Sequence, residues 1–143
     1  MSWSPRCSAG ATERETVKTY APVMSDEAPA VVGLAALVVD CSDPPALAGW
    51  WGRLLGRAVS VDDDGDASLR TESGLVVDFL KVPEAKRVKN RLHIDLRTTD
   101  LASATEQAVA LGASRADDVH EGGTWQVLRD PEGNEFCLLA PDG

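Results

Sequence analysis

One order of elements is written twice in this chain, and it limits the fold more than any single motif does. Residues 31–82 read as strand, helix, strand, strand, strand; residues 91–141 read the same way. The spacings agree from copy to copy. Ala36 to Asp43 is seven residues, as is His93 to Asp100. Asp43 to Gly56 is thirteen and Asp100 to Gly112 is twelve; Gly74 to Asp78 and Gly133 to Cys137 are both four. Several matched spacings in one order mark a duplicated unit.

Local signals set the elements of each copy. Asp43 followed by Pro44 and Pro45 is a helix start, with an acceptor at the cap and proline where no amide donor is needed. Leu47, Trp50, Trp51, Leu54 and Leu55 then recur at helical spacing, and Gly56 stops the run. In the second copy Asp100 is the cap, Leu101, Ala104, Ala108 and Leu111 face inward, and Gly112 ends the helix. Strands are expected over 31–41, 58–61, 67–71 and 75–82, and again over 91–97, 113–119, 124–129 and 135–140. The acidic run 62–66 has no bidentate glutamate at the distance a calcium loop requires, so it reads as a turn. Asp130-Pro131-Glu132-Gly133 is a second turn. From Lys81 to Arg91 there are five basic residues and one acid, a solvated loop or a rim that steers an anionic ligand.

Parity along the strands predicts the faces. Leu37, Val39, Leu75, Val77 and Phe79 belong under the first helix. Leu92, Ile94, Leu96, Phe136 and Leu138 belong under the second. The opposite faces are expected to curve round a shared hollow, lined by Ala36, Val38 and Asp40; Val76, Asp78 and Leu80; His93, Asp95 and Arg97; and Glu135, Cys137 and Leu139. Histidine is a side chain suited to giving and taking protons; His93 is either a site residue or a strand histidine bonded to Asp95 or Asp78. Asp78, between apolar neighbours, needs a partner or a ligand. Cys137 reads as a small buried side chain or as a thiolate. Trp125 is a stacking platform or rim packing. His120 is a lid or a solvated loop residue.

Bulk properties narrow the partners. The net charge of −9 argues against nucleic acid, whose phosphates need a basic face. No apolar run approaches the roughly 20 residues of a membrane span. Three cysteines, Cys7, Cys41 and Cys137, make no disulfide framework, and the first fifteen residues lack a secretory core, so a cytoplasmic location is expected. Residues 1–30 are expected to be a disordered tail, with Met24 as an alternative start, and residues 31–143 a single domain.

The paired βαβββ units, with Arg91-Leu92-His93-Ile94-Asp95-Leu96 opening the second and Asp130-Pro131-Glu132-Gly133-Asn134-Glu135-Phe136 closing it, resemble the vicinal oxygen chelate superfamily, and more narrowly its glyoxalase-like domains. The resemblance covers about residues 31–141. It implies an α+β fold: two modules (about 31–82 and 91–141), curved mixed sheets around a shared cleft, helices outside, and a possible homodimer. It also implies a divalent metal held at four places, which in this sequence are Ala36, Asp78, His93 and Cys137. Ala36 has no donor atom, so the set is incomplete.

Three functions stay open on this reading. The first is a protein that binds a small organic ligand between its modules without a complete four-ligand metal site. His93 and Asp78 would supply its chemistry, and Trp125, Asp95, Glu135 and Arg97 its ligand contacts. The second is a metal-dependent lyase, isomerase or ring-cleaving dioxygenase using Asp78, His93 and Cys137, in which a metal with open positions polarises the substrate. The third is a module whose hollow has filled in.

Overall fold

The computed structural model describes residues 20–21, 30–31, 33–118 and 121–141, the side chains of 121 and 122 excepted. Most of the expected tail, together with Cys7, Met24 and His120, lies outside the described residues. Both copies of the repeat are present. The first runs β1 (Ala36–Cys41), α1 (Pro44–Leu55), β2 (Val59–Val61), β3 (Ala67–Arg70) and β4 (Val76–Lys81). The second runs β5 (Ile94–Arg97), α2 (Leu101–Leu111), β6 (Ser114–Arg115), β7 (Glu121–Gly122), β8 (Trp125–Arg129) and β9 (Glu135–Leu139). The first strand is shorter than expected, and the stretch after α2 forms only the two-residue β6. The short strand β7 was not foreseen; it pairs with β8 across a tight turn at 123–124.

Each module builds one mixed sheet, in the order β1-β4-β3-β2 and β5-β9-β8-β6. The strand that opens each module runs parallel to the one that closes it. Connections of this kind need a crossover element, and α1 and α2 supply it. The two caps behave alike: Asp43 Oδ1 accepts from Ala46 N at 3.1 Å, and Asp100 Oδ1 from Ser103 N at 2.9 Å. Gly56 (φ 63°) and Gly112 (φ 117°) hold the left-handed turns that end the helices. Among the described residues, no helix is long and apolar enough to cross a membrane.

The parity expected for the faces under the helices holds except at Leu92, which lies before β5 begins and is 82% exposed. Val77, Phe79, Phe136 and Leu138 are buried in one core with Leu47, Trp50 and Trp51 of α1. That core joins the modules. The rings of Trp50 and Trp51 lie edge-on to each other at 5.2 Å, and Phe136 of β9 packs against both, at 5.7 and 5.2 Å. Edge-to-face rings at this separation add to the gain from burial.

Polar contacts run across the same seam. Trp50 Nε1 donates to the carbonyl of Leu111, at the end of α2 (3.1 Å). Glu132, in the turn before β9, accepts from Ser42 N, Ser42 Oγ and Asp43 N at 2.8–3.0 Å. Each module therefore caps a helix of the other: Glu132 at the start of α1, Trp50 at the end of α2. A carboxylate at a helix start satisfies orphan amides and meets the positive end of the dipole.

Candidate functional site

The modules are joined through side chains, and their sheets do not close on each other. Strands β1 and β5 are the end strands of their sheets, and no ladder joins them among the described residues. A groove runs between them. Its larger part is a cavity of about 590 Å³, with Leu37, Val39, Leu69, Val77 and Phe79 on one wall, Ile94 and Leu96 on the other, and Trp51 and Leu55 of α1 below. Arg57, Thr71, Glu72, Ser73, Asp95 and Arg97 ring that end. A second cavity, of about 330 Å³, shares Leu37, Val39, Trp51 and Ile94 with the first, and adds Val38, Asp40, Asn90, His93, Asn134 and Glu135. The result is one groove, apolar along its middle and polar at both ends. That is the form of a small-molecule site: an apolar trough with a few polar groups to orient the guest.

The two buried carboxylates at the His93 end already have partners. Glu135 is only 6% exposed. It meets Lys86 Nζ at 3.0 Å, Arg129 Nε at 3.4 Å and the Asn90 amide at 2.9 Å. Burial would raise its pKa; these donors outweigh burial and hold it below the usual carboxylate range. Asp130 is 3% exposed and accepts from Trp51 Nε1, Glu132 N, and both Asn134 N and Nδ2. Here burial prevails and the pKa is raised. Cys41 is likewise buried, and its thiol is pushed up to about 11, by burial first and by the carboxylates of Glu132 and Asp130 next. It is protonated at neutral pH and is no nucleophile there.

This architecture has known counterparts. The sequence profile of the glyoxalase-like domain matches residues 36–139. The chain belongs to the glyoxalase-like domain family. Solved structures agree at the level of fold. A mutant of the fosfomycin resistance protein FosX from Listeria monocytogenes, solved with Mn(II) and 1S,2S-dihydroxypropylphosphonic acid, is 14% identical and superposes with a TM-score of 0.64, covering 78% of this chain and 91% of that one. A glyoxalase/bleomycin resistance protein/dioxygenase family enzyme from Burkholderia phytofirmans PsJN is 16% identical with a TM-score of 0.61, covering 74% and 96%. A protein from Agrobacterium tumefaciens, solved by NMR, is 14% identical with a TM-score of 0.63, covering 79% and 100%. No curated protein sequence matches the chain.

Within this glyoxalase-like domain the expected residues fall into three places. His93, Glu135, Val38 and Asp40 meet at the smaller cavity. His93 Nε2 lies 3.2 Å from Asp95 Oδ1, one of the two partners the sequence offered for it. Asp95 and Arg97 line the larger cavity. Asp78 stands elsewhere, opposite Ser68 on β3 and Val38 on β1, beside a shallow hollow that also holds Ser60, Asp66 and Leu80. None of these cavities is lined by both Asp78 and His93. Ala36 pairs with Val76 at the start of β1. Cys137 is buried on β9 between Asp95 and Val127. Trp125 is half-buried at the start of β8, opposite Leu139. Among the described residues, no group of three or more His, Cys, Asp or Glu side chains is placed to hold a metal ion.

The groove differs from the expected hollow in which parity lines it. Its wide end is walled by the helix-side residues Leu37, Val39, Val77 and Phe79. The opposite face of the first sheet is open, with Val38 55% and Leu80 36% exposed. The cause is the side-chain join through α1, which brings the apolar faces toward each other and leaves the two end strands apart. Sequence reading assigned Trp51 to the core, left Thr71 at the end of a strand, and gave Arg57 and Ser73 no part in a site. Only the sharp reversal at Gly56, which returns Arg57 to within 2.8 Å of the Gly52 carbonyl, brings that guanidinium to the groove.

Proposed function

We propose that this glyoxalase-like domain binds a small organic ligand in the groove between β1 and β5, without a complete four-ligand metal site. One observation carries the reading: a trough of about 590 Å³, walled by side chains of both modules, that opens at each end onto polar groups. The position of Ala36, which has no donor atom, and the distance in the fold between the surroundings of Asp78 and those of His93 support the second half. The same reading keeps His93 and Glu135 as polar contacts at one end, with Asp95 beside His93, and Arg97 as a contact in the larger part. It places the protein in the cytoplasm, in keeping with Cys41 and Cys137, which carry no disulfide. A second copy of the chain, covering the open face of the first sheet around Val38 and Leu80, is part of it too. Sedimentation over a range of concentrations tests that last point, and a monomer throughout removes it.

A thermal-shift screen of organic compounds tests the groove. Ligand at about a hundred times its Kd adds roughly 2.7 kcal/mol to stability, which such a screen detects readily. Hits on the wild type are expected to disappear in both Leu37→Trp and Ile94→Trp, since each residue lines both parts of the groove. Hits that survive both variants place the ligand elsewhere. Metal analysis of untagged protein is expected to find substoichiometric divalent metal. A full equivalent, lost in His93→Ala and in Asp78→Ala, favours the metal-dependent lyase or dioxygenase reading instead.

A further inference from the structure

The end of the groove away from His93 carries an arrangement that the reading above does not use. Two guanidinium groups reach one cavity from different modules: Arg57 just beyond the end of α1, and Arg97 at the end of β5. The hydroxyls of Thr71 and Ser73 stand at the same end and bond each other at 3.0 Å. The rest of that cavity is almost wholly apolar.

Accounting for the charges decides which sign of ligand fits. At the His93 end, the buried Glu135 and Asp130 have full sets of donors, and a cationic guest would find them occupied; Asp40 there is exposed, so water screens its charge. Of the acids among the described residues that line the larger cavity, Glu72 and Asp95, neither is well placed to hold off an anion. Glu72 approaches Arg57 only to 3.9 Å, and its side chain is 95% exposed, so water screens its charge. Asp95 is engaged by His93 at 3.2 Å. Arg57 is partly withdrawn from solvent, with 36% of its side chain exposed, which strengthens any charge-assisted bond it makes. The net charge of −9 does not favour anions at long range, so any preference must come from these local groups.

We propose that the groove takes an amphiphilic organic anion, a carboxylate on an aryl or alkyl body. The body lies along Trp51, Leu69, Val77 and Ile94, and the head meets Arg57 and Arg97, displacing Glu72 from Arg57 and taking the place of the contact Arg97 already makes. This rests on the groove being a ligand site and adds the class of ligand.

Three probes with one apolar body and different heads separate the two claims: phenylbutanoate, phenylbutanol and phenylbutylammonium, titrated calorimetrically into the full chain near neutral pH. The acid is expected to bind at least about tenfold more tightly than the alcohol, and the amine most weakly, as charge-assisted hydrogen bonds predict. Arg57→Gln and Arg97→Gln should each weaken the acid by about tenfold. Both should leave the alcohol unchanged, which also shows that the variants fold. An acid no tighter than the alcohol, a preference for the amine, or acid binding retained in both variants overturns the anion assignment and leaves the groove standing. Alcohol binding that is intact in Leu37→Trp and Ile94→Trp overturns the groove itself. Failure of all three probes to bind the wild type overturns the ligand class, while hits from the wider screen still judge the groove.

Discussion

Two carboxylates two positions apart, Asp130 and Glu132, do the joining work of the most recognisable motif in the sequence. Glu132 caps a helix of the other module through three donors, so Glu132→Ala should cost about 1–2 kcal/mol in urea unfolding, with Glu132→Gln in between. Asp130 is held by Trp51, and its folded pKa is raised by burial. An acid whose folded pKa lies above its unfolded value binds more protons in the native state, so its contribution to stability falls as pH rises through that interval and stays lower above it. Trp51→Phe removes a donor that opposes the shift and widens the interval. The variant should therefore lose about 1–3 kcal/mol, more near pH 7 than near pH 4, in paired denaturant titrations. An equal loss at both values would separate Trp51 from the charge of Asp130. The turn itself was legible from its residues. That its side chains reach across to α1 was not, because nothing local encodes a partner some ninety positions away.

Among the elements, the helices were the most legible and the sheet edges the least. The stripe Leu47–Leu55 and the cap at Asp43 define α1 almost to the residue, since capping and periodicity are local. The stretch after α2 was read as a full strand but forms only Ser114–Arg115, because pairing with β8 decides where a strand stops. Parity told which strand side chains lie beneath a helix, and failed at Leu92, where the strand had not yet begun. It could not tell which of the two faces would enclose the groove, since that depends on how two finished modules dock. The reversal after α1 gives an element-scale test. Gly52→Ala would ordinarily gain helix propensity of about 1 kcal/mol. Here the new Cβ would come within 2.7 Å of Val59 Cγ2 and 2.8 Å of the Arg57 carbonyl. The variant should be less stable than wild type in thermal unfolding, and it should weaken phenylbutanoate more than phenylbutanol, because Arg57 must move. A stabilised variant would show that the reversal is slack.

At the scale of the whole molecule, the two modules share one core. Leu47, Trp50 and Trp51 pack with Val77 and Phe79 of the first sheet and with Phe136 and Leu138 of the second. Neither module keeps a closed interior without the other, so unfolding should be a single step. Tryptophan fluorescence and far-ultraviolet circular dichroism are expected to give coincident denaturant curves. Two separated transitions would mean that the modules are independently stable. A duplicated fold was legible from spacing alone, and the family resemblance gave its architecture; the docking of the halves was not, because it rests on a few aromatic and carboxylate side chains that also have ordinary local roles.

The lack of any ladder between β1 and β5 has a mechanical consequence. Among the described residues no ladder spans the gap between these strands, so side-chain packing and the indole and carboxylate contacts, not backbone pairing, set its width. A tilt of one half on the other, like a clasp, would break no strand pairing, so guests of unequal girth are expected to fit without loss of either sheet.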